Sequence, residues 1–346
     1  MRAVVWTGVV GFTVGLAALS GWRPAAGPST PPSATRSCGM PPAAIRSVSL
    51  PRYYSDQRGT VVNAAQRQAH WEIMAPMREF LWKVTGWADK ALARSVEGKN
   101  NAEALCALMW LTAWAQGEAW LGEMGTRQAE YQRKWDLAGT ALAYLKLKSY
   151  TTAQQREVIE PWLRQVADLS AAFFDDRERK RNNHWYWMGL AAAAVGMAAD
   201  SPRHWSFARE VMHDAARDIG SEGLLPHEMN RGPLALHYHA FSAMALVPMA
   251  ELAAAAGEDW YGFEGGALHR LVAVTSAGFM RADLFETRAG RRQDAKLQAT
   301  AGWAQLYETR FPDRIAWLPQ VNAGHRYLGG DVAALRKTLA RQSHVH

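Results

Sequence analysis

The sequence predicts an all-α chain whose helices form an (α/α) toroid, and three observations carry that expectation. After residue 60, apolar residues recur at spacings of three and four. Strand-like alternation is scarce, and most helical segments are joined by short turns. Successive antiparallel helix pairs then suggest a toroid; a helical solenoid would look similar, but no fixed-period repeat is visible.

In chain order, the first helix is predicted over 62–94, where Trp71, Met74, Met77 and Leu81 mark one face. The second covers 102–117, marked by Leu105, Leu108, Leu111 and Ala115. The same spacing predicts helices over 124–148, 152–175, 184–199, 203–219, 234–256, 262–280 and 294–309. Between Gly189 and Gly196 the residues are small on every face, which predicts a helix packed closely on all sides. Arg288 to Gln293 and Asn322 to Gly330 are rich in turn residues and read as loops facing a groove.

With 346 residues, 49% apolar and 21% charged, the chain can bury a large core. Residues 1–20 differ from the rest. Arg2 is the only charge before an apolar run from Ala3 to Ala18, the pattern of a secretory signal peptide cleaved near Ser20-Gly21 or near Ala26-Gly27. The run is long enough for an uncleaved membrane anchor to be the rival reading. Residues 21–49 read as a flexible lead-in, 50–333 as the toroid domain and 334–346 as a C-terminal tail. Export to the periplasm or beyond would place the two cysteines, Cys38 and Cys106, in an oxidising compartment. That predicts one disulfide between them, with two buried thiols as the alternative.

A net charge of +7 favours polyanionic partners: nucleic acid, anionic lipid or an acidic polysaccharide. Export argues against nucleic acid, and no zinc-finger, RNP-like or basic-zipper pattern revives it. The chain also has no G-x-S-x-G elbow, P-loop, dinucleotide fingerprint or H-E-x-x-H zinc motif. His237-Tyr238-His239 looks like a metal pair, but residues two apart on a helix point to nearly opposite sides, so no metal is expected there.

Two segments carry the positive signal. In "NNHWYW", Asn182 or Asn183 can cap a helix start, leaving free backbone N–H groups and partial positive charge beside His184 where an anion would be welcome. In "EMNRGPLALHYH", Pro233 opens a helix, and Arg231 and Tyr238, seven apart, share one side if Arg231 folds back over the helix start. The bland readings are a capped helix with a half-buried histidine, and a surface arginine near a core tyrosine.

Together the two segments resemble polysaccharide lyase family five, the alginate lyases, whose members carry N-N-H-x-Y-W and then R-x6-Y. "MWLTAWA" at 109–115, "RKW" at 133–135, "AYLKLK" at 143–148, Leu225-Pro226 with Glu228, and "RYLGGDV" at 326–332 add to the resemblance, which spans roughly residues 50 to 333. It implies an (α/α) toroid, or incomplete α/α barrel, with a substrate groove at one end. It also implies a metal- and cofactor-independent lyase that cleaves 4-linked polyuronates, above all mannuronate-rich alginate, by β-elimination; a monomer is expected, though the sequence itself does not give the oligomeric state.

The resemblance assigns Asn183, His184 and Arg231 to neutralise the substrate carboxylate, and Tyr238 to take the C5 proton and protonate O4. A free phenol has a pKa near 10, so Arg231 and a helix N-terminus are expected to lower that of Tyr238. His184 would be the base for uronates whose C5 proton lies on the opposite face. Arg52 and Tyr53 match a lid segment, while Gln128, Trp135 and Arg326 match groove-lining positions. Trp185 stands where relatives often have serine and would reshape a subsite, and the rings of "NNHWYW" would frame the groove. Polyglucuronate or hyaluronan are alternative substrates. A periplasmic polysaccharide-binding or export scaffold, which would not need Tyr238, is the alternative from another class.

Overall fold

The structure, a computed structural model, describes residues 38–57, 59–94, 101–175, 181–294, 302–315 and 324–342. All belong to one contact unit, Ala34–His346; the predicted signal segment lies outside the described residues. The helices are α1 (Ala64–Ile73), α2 (Ala75–Ala93), α3 (Ala102–Gln116), α4 (Arg127–Leu147), α5 (Ala153–Phe174), α6 (Asn183–Ala198) and α7 (Pro202–Asp218). There follow α8 (Pro226–Met229), α9 (Ala235–Ala255), α10 (Phe263–Met280), α11 (Asp283–Ala289), α12 (Gly302–Arg310) and α13 (Val332–Gln342). Among the described residues, β pairing is confined to isolated bridges such as Val48 with Met124.

Contacts between elements give the expected (α/α) toroid. Inner helices α2, α4, α6 and α9 are consecutive neighbours, α13 returns from α9 onto α4 and α2, and α3, α5, α7 and α10 pair with the inner set as an outer layer. Helix α6 is the hub, touching α4, α5, α7 and α9, and every residue of it except His184 and Met197 is buried. Its glycines are what permit this: an ideal Cβ on Gly196 would sit 3.0 Å from the backbone nitrogen of Trp205, and one on Gly189 would press on Val211. Most tryptophans are core, as their number suggests. Trp110, Trp114, Trp120, Trp187, Trp260 and Trp303 are fully buried, with Phe80 stacked on Trp114 at 3.7 Å.

Several boundaries differ from the sequence reading. The first helix breaks at Met74, because Pro76 lacks the N–H an uninterrupted helix would use. The helix expected at 294–309 begins, among the described residues, at Gly302. The lead-in is not slack where it is described. Trp120 N donates to the Ile45 carbonyl at 2.8 Å and Gly125 N to that of Val48 at 3.0 Å, while Trp114 Nε1 donates to Pro42 O at 2.8 Å. Cys38 is bonded to Cys106 across 68 residues, worth roughly 4 kcal/mol in the chain-entropy account. Nor is the C-terminus a tail. As far as Gln342 it is helix α13, with Leu335 and Leu339 buried; local polarity hid a helix that exists because its apolar stripe closes the ring.

The turn at 325–330 rests on α4 through Gly139, where a Cβ would clash with the backbone carbonyl oxygen of Arg326. Gly139→Ala should therefore lower the unfolding free energy by about 1–3 kcal/mol. Gly86, also in a helix, has nothing within 4 Å of its Cβ position, so Gly86→Ala should raise it by up to about 1 kcal/mol. Urea titration of both variants checks the pair; a stabilised Gly139→Ala would show that the contact relaxes freely.

Candidate active site

A cleft of about 1220 Å³ opens where the inner helices begin. Met74 and Arg78 come from the start of α2, Arg127, Gln128 and Tyr131 from that of α4, His184 and Trp185 from that of α6, and His237 and Tyr238 from that of α9. Each helix start adds partial positive charge to the same mouth. Among the described residues, six arginines line the cleft (Arg52, Arg78, Arg127, Arg181, Arg231 and Arg326) and no aspartate or glutamate does. The cleft is built for an anion.

At the start of α6, the Asn182 side chain is the cap, accepting from His184 N at 3.0 Å. The anion that the sequence leads one to expect at this N-terminus is supplied by the protein itself. Glu228 Oε1 accepts from Asn183 N at 2.7 Å and from Asn183 Nδ2 at 2.9 Å. Both residues are fully buried, and Arg231 Nε approaches Glu228 Oε2 at 3.4 Å. Burial pushes the Glu228 carboxyl above its ordinary range, while Arg231 and the two Asn183 N–H groups pull it back. Glu228 thus ties the histidine segment to the arginine segment, a role its motif did not disclose.

His184 is half-buried. Its ring stacks on Tyr131 with centroids 3.6 Å apart, and Nδ1 lies 3.2 Å from Lys134 Nζ. Burial, then the charges of Lys134, Arg231 and Arg127, hold it well below its ordinary pKa, so the imidazole is neutral. Arg231 does fold back over the start of α9, its guanidinium carbon 4.5 Å from the centroid of the Tyr238 ring. The turn at Gly59, with φ +71°, closes on the same pair: its Cβ position is 3.5 Å from Arg231 Nη1 and 3.8 Å from the Tyr238 hydroxyl.

The expected lowering of the Tyr238 pKa is not what the site does in this state. Burial pushes the phenol well above its ordinary value and neighbouring Tyr54 adds to that, both outweighing the pull of Arg231. The phenol is protonated at rest because the helix dipoles and arginines act on a group removed from water.

The other predicted residues divide. Gln128 and Arg326 line the cleft. Arg326 donates to the Tyr327 hydroxyl at 2.8 Å, with Asp136 behind it, whose carboxyl burial pushes up to about 7. Tyr53 lines the cleft edge-on to His70 at 5.0 Å, and Arg52 lines it too while its guanidinium donates to the Asp56 carbonyl of its own loop. Trp135 reaches the cleft, yet it is 9% exposed and its ring is engaged by Tyr327 at 5.8 Å and Lys134 at 4.2 Å. It is a wall more than an open sugar platform.

Of the three rings of "NNHWYW", Trp185 alone lines the groove. Trp187 and Tyr186 are core, bonded to Phe241 O at 3.1 Å and Asp218 at 3.0 Å. Trp185 bonds Asp214 at 3.1 Å and carries Arg181 on its face at 3.7 Å, so it serves the cleft by seating a cation instead of filling a subsite. Of the two predicted loops, His325 to Gly330 meets the cleft. The Arg288–Gln293 segment instead braces the turn before α9, where Gln293 Nε2 donates to Gly232 O at 3.0 Å. His239 is a buried strut, its Nε2 accepting from Leu225 N at 2.8 Å, while His237 faces the cleft. No cluster of three potential metal ligands is found among the described residues.

Comparison with known proteins agrees with this architecture. The Alginate lyase family pattern matches residues 47–283. A polysaccharide lyase of Stenotrophomonas maltophilia (strain K279a) is 37% identical over 81% of this chain and 84% of its own. An alginate lyase of Azotobacter vinelandii is 31% identical over 73% of this chain and 70% of its own. Among solved structures, alginate lyase A1-III complexed with a tetrasaccharide superposes with a TM-score of 0.76 at 23% identity, covering 87% of this chain and 86% of that one. The same enzyme from Sphingomonas species A1 gives 0.72. A family pattern across most of the toroid, with relatives alike over the greater part of both chains, shows that this chain belongs to the alginate lyase family.

Proposed function

We propose that the protein is an exported lyase that cleaves mannuronate-rich alginate by β-elimination, leaving unsaturated oligosaccharides. The observation that carries this reading is a cleft lined, among the described residues, by six arginines and no carboxylate, with the Tyr238 phenol beneath Arg231 and beside the turn at Gly59. A polyuronate is a chain of carboxylates, and the cleft offers cations at several points along its length.

The chemistry follows from the placement. The C5 proton of a uronate is too weakly acidic until charge developing on its carboxylate is stabilised. Arg231 and the His184 N–H are the groups assigned to that, with the Asn183 N–H not spent on Glu228 in support. Tyr238, as phenolate, takes the C5 proton. The electron pair forms the C4=C5 double bond, the C4–O4 bond breaks, and the phenol returns its proton to O4. In mannuronate both atoms lie on one face of the ring, so one group suffices. Polyglucuronate and hyaluronan remain the alternative substrates.

Tyr238→Phe keeps the ring under Arg231 and removes the proton carrier. Each lost transfer is worth about 10² to 10⁴-fold, so mannuronan cleavage, followed by ultraviolet absorbance of the new double bond, should fall near the detection limit while binding persists. Retention of more than about a tenth of the wild-type rate would sink the tyrosine mechanism. The raised Tyr238 pKa also sets the sign of the pH dependence: the phenolate is the minor form at neutral pH, so kcat/KM should climb as pH rises from about 7 to 9, approaching tenfold per unit. A flat or falling profile there would mean another base. Export is proposed from the N-terminal sequence alone, and cell fractionation should find a shortened soluble chain in the periplasm or medium; full-length chain held in the membrane would overturn it.

A further inference from the structure

Behind the cleft wall lies a buried lysine. Lys134, on α4, has no exposed surface and does not line the cleft. Its ammonium sits against three aromatic faces: Trp135 at 4.2 Å, and Tyr131 and Phe174 at 4.7 Å each. Its polar contacts are the Tyr131 carbonyl at 3.3 Å and His184 Nδ1 at 3.2 Å. Tyr131 also stacks on the imidazole, so one aromatic residue holds both ends of the contact. We propose that Lys134 is a positioning residue that makes His184 Nδ1 an acceptor, leaving the N–H on Nε2 at the open edge of the ring, where His184 can serve as a donor to a substrate carboxylate and not as the base.

The argument turns on what an ammonium can do. It has donors and no lone pair, so a contact with Nδ1 requires that nitrogen to be bare and places the ring proton on Nε2. Three π faces favour the charged form of Lys134, opposing the burial that pushes its pKa well below the ordinary value. The same charge works against a second proton on the ring, as do Arg231 and Arg127. A histidine fixed in this tautomer presents a donor to the cleft and has no free lone pair there to take a C5 proton. The inference therefore deepens the lyase reading, on which its consequence for the reaction rests. With the histidine removed as a base, elimination is confined to uronates whose proton faces Tyr238.

Two measurements test it, and the first needs no substrate. In protein labelled with ¹⁵N-histidine, the long-range ¹H–¹⁵N spectrum should show His184 as the Nε2–H tautomer, its signals identified by their loss in His184→Gln. A wild-type His184 protonated on Nδ1 overturns the proposal outright. In Lys134→Met, which keeps the aliphatic length inside the aromatic cage, the His184 signals should move to an average of both tautomers. On a mannuronan substrate kcat should fall about 10- to 100-fold, with KM changed less than about threefold. An unchanged tautomer and an unchanged kcat in Lys134→Met refute the role. If wild-type protein shows the Nε2–H tautomer but cleaves no polyuronate, the hold of Lys134 on His184 stands and the lyase reading fails.

Discussion

A helix with no polar side is the constraint from which the rest of this structure follows. Between Trp185 and Ala198, α6 carries only apolar and small residues apart from the Tyr186 hydroxyl, which is bonded to Asp218. Such a segment is stable only when enclosed, so α4, α5, α7 and α9 must surround it. Gly196 lets the backbone of α7 approach at Trp205, and Gly189 makes room for the side chains of Val211 and Met249. The enclosure leaves one place for polar groups, the helix start, and there stand Asn182, Asn183 and His184. The packing that buries the helix also delivers its first turn to the cleft.

That delivery has an electrostatic cost, which the site manages from within. A helix start and six arginines facing one cleft repel one another, and the buried Glu228 carboxylate answers both by accepting from the start of α6 and approaching Arg231. Removing one member of a buried pair leaves the other uncompensated, typically at about 3–5 kcal/mol. Glu228 is therefore as integral to the arrangement as the residues it holds. Its position below the surface keeps its charge away from a polyanionic ligand while its field still balances the cations.

The same surplus of positive charge decides protonation. It holds His184 neutral, where a charged imidazolium would add a further cation to the group. It does not suffice to ionise Tyr238, because burial under the turn at Gly59 costs the phenolate more than Arg231 returns. Enclosure and basicity pull in opposite directions at this residue. In the proposed reaction, formation of the phenolate is part of the barrier.

The sequence by itself determined the helical class and the small-residue hub between Gly189 and Gly196, because both rest on local spacing; it offered the pairing of Cys38 with Cys106 and the meeting of Arg231 with Tyr238 as expectations, which the fold then realises. It could not show α13, whose polar surface disguises a helix that exists only because Leu335 and Leu339 find a core. It could not show that the rings of Tyr186 and Trp187 turn inward, since an aromatic residue beside a site motif reads alike on either face. Nor could it single out Glu228 and Lys134 as the groups that organise the site. Glu228 lies 45 residues from Asn183 and Lys134 lies 50 from His184, and the reason they matter is burial. A carboxylate or an ammonium acquires a fixed partner when folding removes its water, and only the tertiary structure decides which charges lose theirs.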